Sequence, residues 1–357
     1  MNKNNKKKIL FISTTLSGGG SERVVSNYAN FLSDTFVVKI LLINNRKTTD
    51  HLFNHNKRIE IIYLKKKRLL HSIISLRKNI NVFNPDYIFT SIVHLNIFNL
   101  LFKLIFNKNY KTIIREANLP SFYLKEINFS YLYKSLCKLT YNKSDLIITS
   151  SNKMMNEIKN LYKLTNNNIK VLKNPIDRNV FFPSNIKEND NFLKIILVGR
   201  LVRQKNIINL IKSMKYLSIK KYKLTIYGEG ILRNKILKEI KDNHLEKNIE
   251  IKNNQKNIAR IMQSSDLLIS CSLWEGMPNV ILEALSCGLK VYALNAFKTL
   301  NEIHLSDKKG MKFFRSTDDL VKDINDFNKF YKRKSFLNKE YNFDFVSREF
   351  NNLINSL

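Results

Sequence analysis

Short apolar runs alternate with longer amphipathic stretches along nearly the whole chain, and this alternation limits the possible folds more than any other feature. A strand, a covering helix and another strand, repeated, describe a parallel sheet buried on both faces. Apolar runs predict strands at Lys8–Ser13, Phe36–Ile43, Ile59–Leu64, Tyr87–Thr90, Lys111–Arg115, Asp145–Thr149 and Ile169–Leu172. A first helix is expected after the Gly18–Gly20 loop, capped by Ser21 or its neighbour and running to about Ser33. Others are expected over Leu69–Asn81, His94–Phe106, Ser121–Tyr141 and Ser151–Leu161. Asn174-Pro175-Ile176-Asp177 closes this series, and the polar stretch Ser184–Asn191 follows.

The pattern then restarts. Strands are predicted at Leu193–Val198, Lys223–Tyr227, Ile249–Ile251, Asp266–Ser270 and Val291–Leu294. Helices are predicted near Asn206–Tyr216, Ile231–His244, Ile258–Ser264 and Pro278–Ser286, with an amphipathic stretch at Phe343–Leu357. The fold class is α/β, with two doubly wound domains facing a cleft and ligands outside the carboxyl ends of the strands. Expected boundaries are 1–180 for the first domain, 181–192 for a linker and 193–340 for the second domain, with 341–357 as a last helix. At 357 residues and 44% apolar content, the chain can build two cores.

The formal net charge is +32, spread along the chain as 31 basic against 12 acidic residues in 1–190 and 30 against 17 in 191–357. Such a surface attracts polyanions such as nucleic acid, anionic lipid or phosphorylated small molecules. A general lysine bias in an Asn-, Ile- and Lys-rich chain explains it equally well. Cys137, Cys271 and Cys287 have neither disulfide nor metal-ligand spacing and fit reduced thiols in a cytoplasmic protein. The basic start leads into an apolar run with no small-residue cleavage site, so it reads as a strand rather than a signal peptide. The longest apolar stretch, Ile92 to Phe106, is interrupted by His94, Asn96, Asn99 and Lys103 and is too short to span a bilayer.

Three segments carry chemistry. In Gly199–Asn206 (GRLVRQKN), Arg200 leaves a strand end and Lys205 sits at or near the following helical turn. Two cations beside a helix start suit a diphosphate, and a solvated basic loop is the bland alternative. Tyr227-Gly228-Glu229-Gly230 permits close backbone approach but is equally a simple tight turn. Ser272–Gly288 (SLWEGMPNVILEALSCG) is the most specific. Pro278 suits the first helical position, and Glu283 follows inside an apolar helix. A carboxylate there needs partners, and two vicinal hydroxyls of a ligand would serve.

This last segment resembles the E-x7-E signature of retaining GT-B glycosyltransferases of family 4. Ser17–Val25 (SGGGSERVV), Asn174–Asp177 (NPID), Val198–Asn206 (VGRLVRQKN) and Ile226–Gly230 (IYGEG) resemble further segments of that family in order and spacing. The resemblance implies a GT-B fold whose last helix crosses back to the first domain. It implies that Arg200 and Lys205 bind the donor diphosphate and stabilise the leaving group, that Glu283 meets the nucleotide ribose, and that Glu275 lies near the transferred sugar. Gly276, Met277, Pro278 and Asn279 would form a backbone cradle, with Gly18, Gly19, Gly20 and Gly228 also on the donor. Arg115, Glu116 and His94 would lie on the acceptor side, although a buried helix-start histidine is the readier account of His94. The chain departs from the family in having Lys290 where proline is frequent, and no glycine in Asn295–Ile303.

The implied activity is retaining transfer of a hexose or N-acetylhexosamine from a nucleotide-diphosphate sugar, with UDP expected. No metal or other cofactor is expected, and no Asp-x-Asp pair stands at a predicted strand end. The expected partners are the nucleotide-sugar donor, a lipid-linked or oligosaccharide acceptor in cell-surface polysaccharide assembly, and an anionic membrane surface. Nucleic acid is not expected, because no zinc spacing, RRM signature or basic helix accompanies the charge. The expected location is cytoplasmic, peripheral on the inner face of the membrane. A nucleotide-sugar epimerase on the same fold and a non-catalytic sugar-nucleotide-binding subunit are the alternatives.

Overall fold

The computed structural model describes residues 6–16, 19–44, 56–126, 129–165, 168–184, 192–218, 221–297, 299–306 and 310–357. The polar stretch 185–191 and Gly18 lie outside them. The chain divides into two units, Met1–Pro175 with Phe343–Leu357, and Ile176–Asn342.

The first unit holds seven strands: β1 (Lys8–Ser13), β2 (Val37–Leu42), β3 (Glu60–Tyr63), β4 (Tyr87–Ser91), β5 (Lys111–Arg115), β6 (Leu146–Thr149) and β7 (Ile169–Val171). They form one parallel sheet in the order β3-β2-β1-β4-β5-β6-β7. Its helices are α1 (Gly20–Leu32), α2 (Ile73–Phe83), α3 (Val93–Ile105), α4 (Pro120–Glu126), α5 (Ser130–Thr140) and α6 (Asn152–Tyr162). The apolar runs are unbroken because both faces are covered. Ile9 and Phe11 of β1 pack with Val24, Tyr28 and Leu32 of α1, while Leu10 and Ile12 pack with Leu76, Ile80 and Leu95 on the other face.

The second unit has six strands: β8 (Leu193–Val198), β9 (Tyr222–Tyr227), β10 (Ile249–Lys252), β11 (Leu267–Ser270), β12 (Lys290–Leu294) and β13 (Met311–Phe314). Their order is β10-β9-β8-β11-β12-β13, again parallel. Its helices are α7 (Ile207–Met214), α8 (Arg233–Asp242), α9 (Ile258–Ser264), α10 (Asn279–Ser286), α11 (Thr299–Ser306) and α12 (Thr317–Asn325).

A last helix, α13 (Phe343–Asn355), belongs to the first unit. Val346, Phe350 and Ile354 enter the core beside α1. The Phe350 ring lies 4.3 Å from Tyr28 and 5.8 Å from Phe89, closing an aromatic cluster with the Tyr28–Phe89 pair at 6.0 Å. Among the described residues no helix is long and apolar enough to cross a membrane.

Three local expectations are corrected. The amino cap of α1 is Gly19, two residues before Ser21, because the Glu22 carboxylate reaches back to accept from the Gly19 N–H at 3.0 Å. Pro278 caps α10 and Asn279 is its first residue, since Pro278 has ψ 98°. Lys205 ends a separate 3₁₀ turn, Arg203–Lys205, and Asn206 at φ 54° breaks the backbone before α7 begins.

Candidate functional site

Each sheet has one place where the strand order reverses, between β1 and β4 in the first unit and between β8 and β11 in the second. Helices leave in opposite directions there, which opens a crevice at the carboxyl ends of the strands. In the second unit the two loops at this point carry Arg200 and Lys205 after β8, and Glu275 after β11.

The structure brings Lys205 and Glu275 together. The Lys205 Nζ donates to Glu275 Oε1, with both side chains mostly covered at 15% and 13% exposure. Ser272 Oγ donates to the same oxygen at 3.0 Å, and Thr299 Oγ1 donates to the Glu275 carbonyl at 3.3 Å. Gly199 makes room for this pairing. A Cβ there would stand 2.9 Å from Lys205 Cε, so the lysine stem crosses directly over the glycine. Arg200 is exposed, and its Nη2 donates to Gln204 Oε1 at 3.4 Å. A guanidinium held this loosely can be recruited by an incoming phosphate.

Beyond Glu275, the buried residues Gly276, Met277 and Pro278 lead into α10, whose amino end no side chain caps. Glu283, the fifth residue of α10, is 4% exposed. Burial first, and then the Glu283 charge, push the Cys287 thiol up to about 12, which keeps that cysteine unreactive. Gly288 closes the helix at φ 69°. Its N–H donates to Leu285 O at 3.1 Å and that of Leu289 to Ala284 O at 2.9 Å, a Schellman arrangement. Gly228 is demanded by packing, because a Cβ there would lie 1.9 Å from the Gly199 carbonyl oxygen.

In the first unit, Gly19 and Gly20 open α1, and their anion-attracting end is already met by Glu22. Ser21 Oγ lies 2.9 Å from Ser91 Oγ, joining α1 to the end of β4. Arg115 and Glu116 are interior residues, each 2% exposed. Arg115 donates to Ser91 Oγ at 3.1 Å and Asn174 Oδ1 at 2.7 Å. Glu116 accepts from the Tyr141 hydroxyl, and burial raises it to about 7 despite hydrogen bonds from Tyr141 and Asn96 and the charge of Arg115. His94 is the second residue of α3 and half-buried; burial lowers its pKa and favours neutral imidazole. Two residues before it, Ile92 is a β-branched residue at φ 100°, so the reversal point of this sheet carries backbone strain.

Gln204, Ser272 and Thr299 were not assigned roles from the sequence, nor was the demand for glycine at 199. Ser272 and Gly199 stand within the quoted motifs. Thr299 lies outside them, and only the fold shows that it reaches Glu275. Among the described residues no cluster of His, Cys, Asp or Glu could hold a metal. A cavity of about 520 Å³ opens at the opposite, amino-terminal edge of the first sheet, beside Lys7, Asp86, Tyr87 and Lys111. Doubly wound sheets bind at the other edge, so the candidate site is the one around Lys205 and Glu275.

Comparison with known proteins gives two family matches that meet near the division of the chain. Residues 18–180 match Glycosyltransferase Family 4 and residues 177–339 match Glycosyl transferases group 1. The chain is 27% identical over 307 residues, 83% of each chain, to the N-acetylgalactosamine-N,N'-diacetylbacillosaminyl-diphospho-undecaprenol 4-alpha-N-acetylgalactosaminyltransferase of Campylobacter jejuni. It is 24% identical to the amylovoran biosynthesis glycosyltransferase AmsD of Erwinia amylovora, over 81% of this chain and 80% of that one. The crystal structure of Anabaena HepE in complex with UDP and glucose has the same fold, with a TM-score of 0.81 at 16% identity over 98% of this chain and 100% of that chain.

Proposed function

The chain belongs to the group 1 glycosyltransferases with the GT-B fold, and on that basis we propose that it moves a hexose or N-acetylhexosamine, with retention, from a UDP-sugar to a lipid-linked saccharide. The observation that carries this reading is the meeting of Lys205 with Glu275 at the strand-order reversal, with Arg200 exposed close by and held only by a 3.4 Å hydrogen bond to Gln204. The relatives' names add the acceptor class. The Campylobacter enzyme acts on a diphospho-undecaprenol saccharide, and the Erwinia protein serves amylovoran biosynthesis.

In this reading Arg200 and Lys205 neutralise the departing diphosphate, so no metal is needed. Preorganised charge of this kind is usually the largest single catalytic contribution. A diphosphate arriving at Lys205 competes with Glu275 for the ammonium, releasing the carboxylate to meet the sugar. Glu283 holds the ribose hydroxyls from within α10. The leaving phosphate oxygen takes the acceptor proton on the same face of the sugar, which preserves the anomeric configuration.

The test begins with a thermal-shift screen of nucleotide sugars, followed by incubation of the stabilising donor with undecaprenyl-diphosphate saccharides. Glu275→Ala and Arg200→Ala are each expected to lower transfer by about 10²-fold or more while the fold persists. Near-normal transfer by both would remove the site assignment.

A further inference from the structure

We propose that Gln204 is a positioning residue that locks the two loops of this site in register; this rests on the reading of Lys205 and Glu275 above. β8 and β11 are neighbours, but their paired residues are only Ile195 with Leu267 and Ile196 with Leu268. The ladder therefore stops before either strand ends. Beyond it, the loops carrying Lys205 and Glu275 leave without sheet hydrogen bonds between them.

Gln204 supplies the missing ties. Its main-chain oxygen accepts from the Leu273 N–H at 2.9 Å. Its side-chain Nε2 donates to the Trp274 carbonyl at 2.7 Å, and its Oε1 accepts from Arg200 at 3.4 Å. An amide has one donor end and one acceptor end, and here each end faces the only type of group that it can bond. A carbonyl on one side and a guanidinium on the other admit no flipped arrangement. Lys205 follows Gln204 directly, and Glu275 follows Trp274. The Gln204–Trp274 contact thus acts as one more rung that sets the next pair, Lys205 with Glu275, opposite each other. The same side chain parks Arg200 beside them.

The chemistry of the two amide ends separates two variants. Gln204→Met keeps the volume but loses both ends. Gln204→Glu turns an acceptor toward the Trp274 carbonyl, which breaks that tie, and binds Arg200 more strongly through a charge-assisted hydrogen bond.

Trp274 is the chain's single tryptophan, so its fluorescence reports on this loop alone. In both variants the acrylamide quenching constant of Trp274 is expected to rise about twofold or more as the loop loosens, with the thermal midpoint held within about 4 °C. For Gln204→Met, kcat should fall about tenfold with the UDP dissociation constant within about threefold, as expected of lost geometry rather than lost binding. For Gln204→Glu, UDP binding should itself weaken about tenfold, because Arg200 is retained by the new carboxylate. Wild-type quenching in both variants would overturn the inference. Raised quenching in the variants, with a wild-type protein that transfers from no nucleotide sugar of the screen to undecaprenyl-diphosphate saccharides, would uphold the tie and refute the transfer reading. Unchanged quenching alongside wild-type turnover would refute the tie alone.

Discussion

At the scale of single residues, the site depends on a glycine as much as on its charges. Gly199 carries no side chain because Lys205 occupies that space. A methyl group there meets only the flexible end of the lysine, so Gly199→Ala should cost well under about 1 kcal/mol of stability. It should nevertheless push the ammonium away from Glu275 and lower transfer by about tenfold or more. Comparing kcat with the melting temperature of Gly199→Ala checks this, and a normal rate would show that Lys205 need not lie over the glycine. Glu116 offers a pH test. Its carboxyl is raised from an ordinary 4.5 to about 7. Between those values the unfolded chain releases this proton while the folded chain keeps it, so Glu116 lowers stability progressively as pH rises from about 4.5 to about 7. Above that range its contribution is constant, at roughly 2–4 kcal/mol. Glu116→Gln should therefore raise the unfolding free energy at pH 8 and leave it nearly unchanged at pH 4. A variant less stable than wild type at pH 8 would contradict this. Motif spacing named Arg200, Lys205, Glu275 and Glu283. It could not foretell that Arg115 and Glu116 are interior, because both stand at the end of a strand whose burial depends on helices far away in the chain.

At the scale of elements, the string Ser272–Gly288 encodes a complete loop, helix and stop. Gly288 ends α10 in a left-handed conformation, and a Cβ there would also approach the Lys334 carbonyl oxygen at 2.7 Å. Gly288→Ala should cost about 1–3 kcal/mol. Denaturant unfolding measures this, and a loss below a few tenths would mean that the turn relaxes freely. Strands were read well wherever four apolar residues run together, as in β1 and β8. β13 is only four residues long, with Lys312 and Phe313 less than fully covered, and it escaped the sequence reading along with the weakly amphipathic α11. The caps also moved. Gly19 holds its place through the reach of the Glu22 carboxylate, and Pro278 through its extended backbone.

For the whole molecule, the charge of +32 acquires a more definite setting. Large apolar side chains stand exposed on the helices of the first unit, among them Ile74 of α2, Ile105 of α3, and Tyr131 and Leu139 of α5, with Phe129 just before α5. Arg77, Lys78, Lys134 and Lys138 are interspersed with them in the sequence. Exposed apolar groups among cations suit an anionic bilayer surface, where each lysine or arginine contributes about 1 kcal/mol. The protein should co-sediment with phosphatidylglycerol-containing vesicles at low salt, bind several-fold less at about 0.5 M salt, and ignore phosphatidylcholine vesicles. Failure to bind anionic vesicles at low salt would leave the charge as compositional bias. The two-sheet architecture was readable because the strand-and-helix rhythm restarts after residue 192. The segment Ser272–Gly288 was readable because its loop, helix and stop lie together in one compact string. The candidates in the first unit share no such string: Arg115 ends β5 with Glu116 directly after it, and His94 stands in the first turn of α3.

The return of α13 to the first unit has a consequence for synthesis. Tyr28 and Phe89 are made early, yet the ring that covers them, Phe350, is made after every residue of the second unit. At about 5–20 residues per second, residues 176–342 take roughly 10–30 s to emerge. For that interval the first sheet waits on the ribosome with one face incompletely covered, while the second unit, translated later, already has its whole sequence and can finish folding before it.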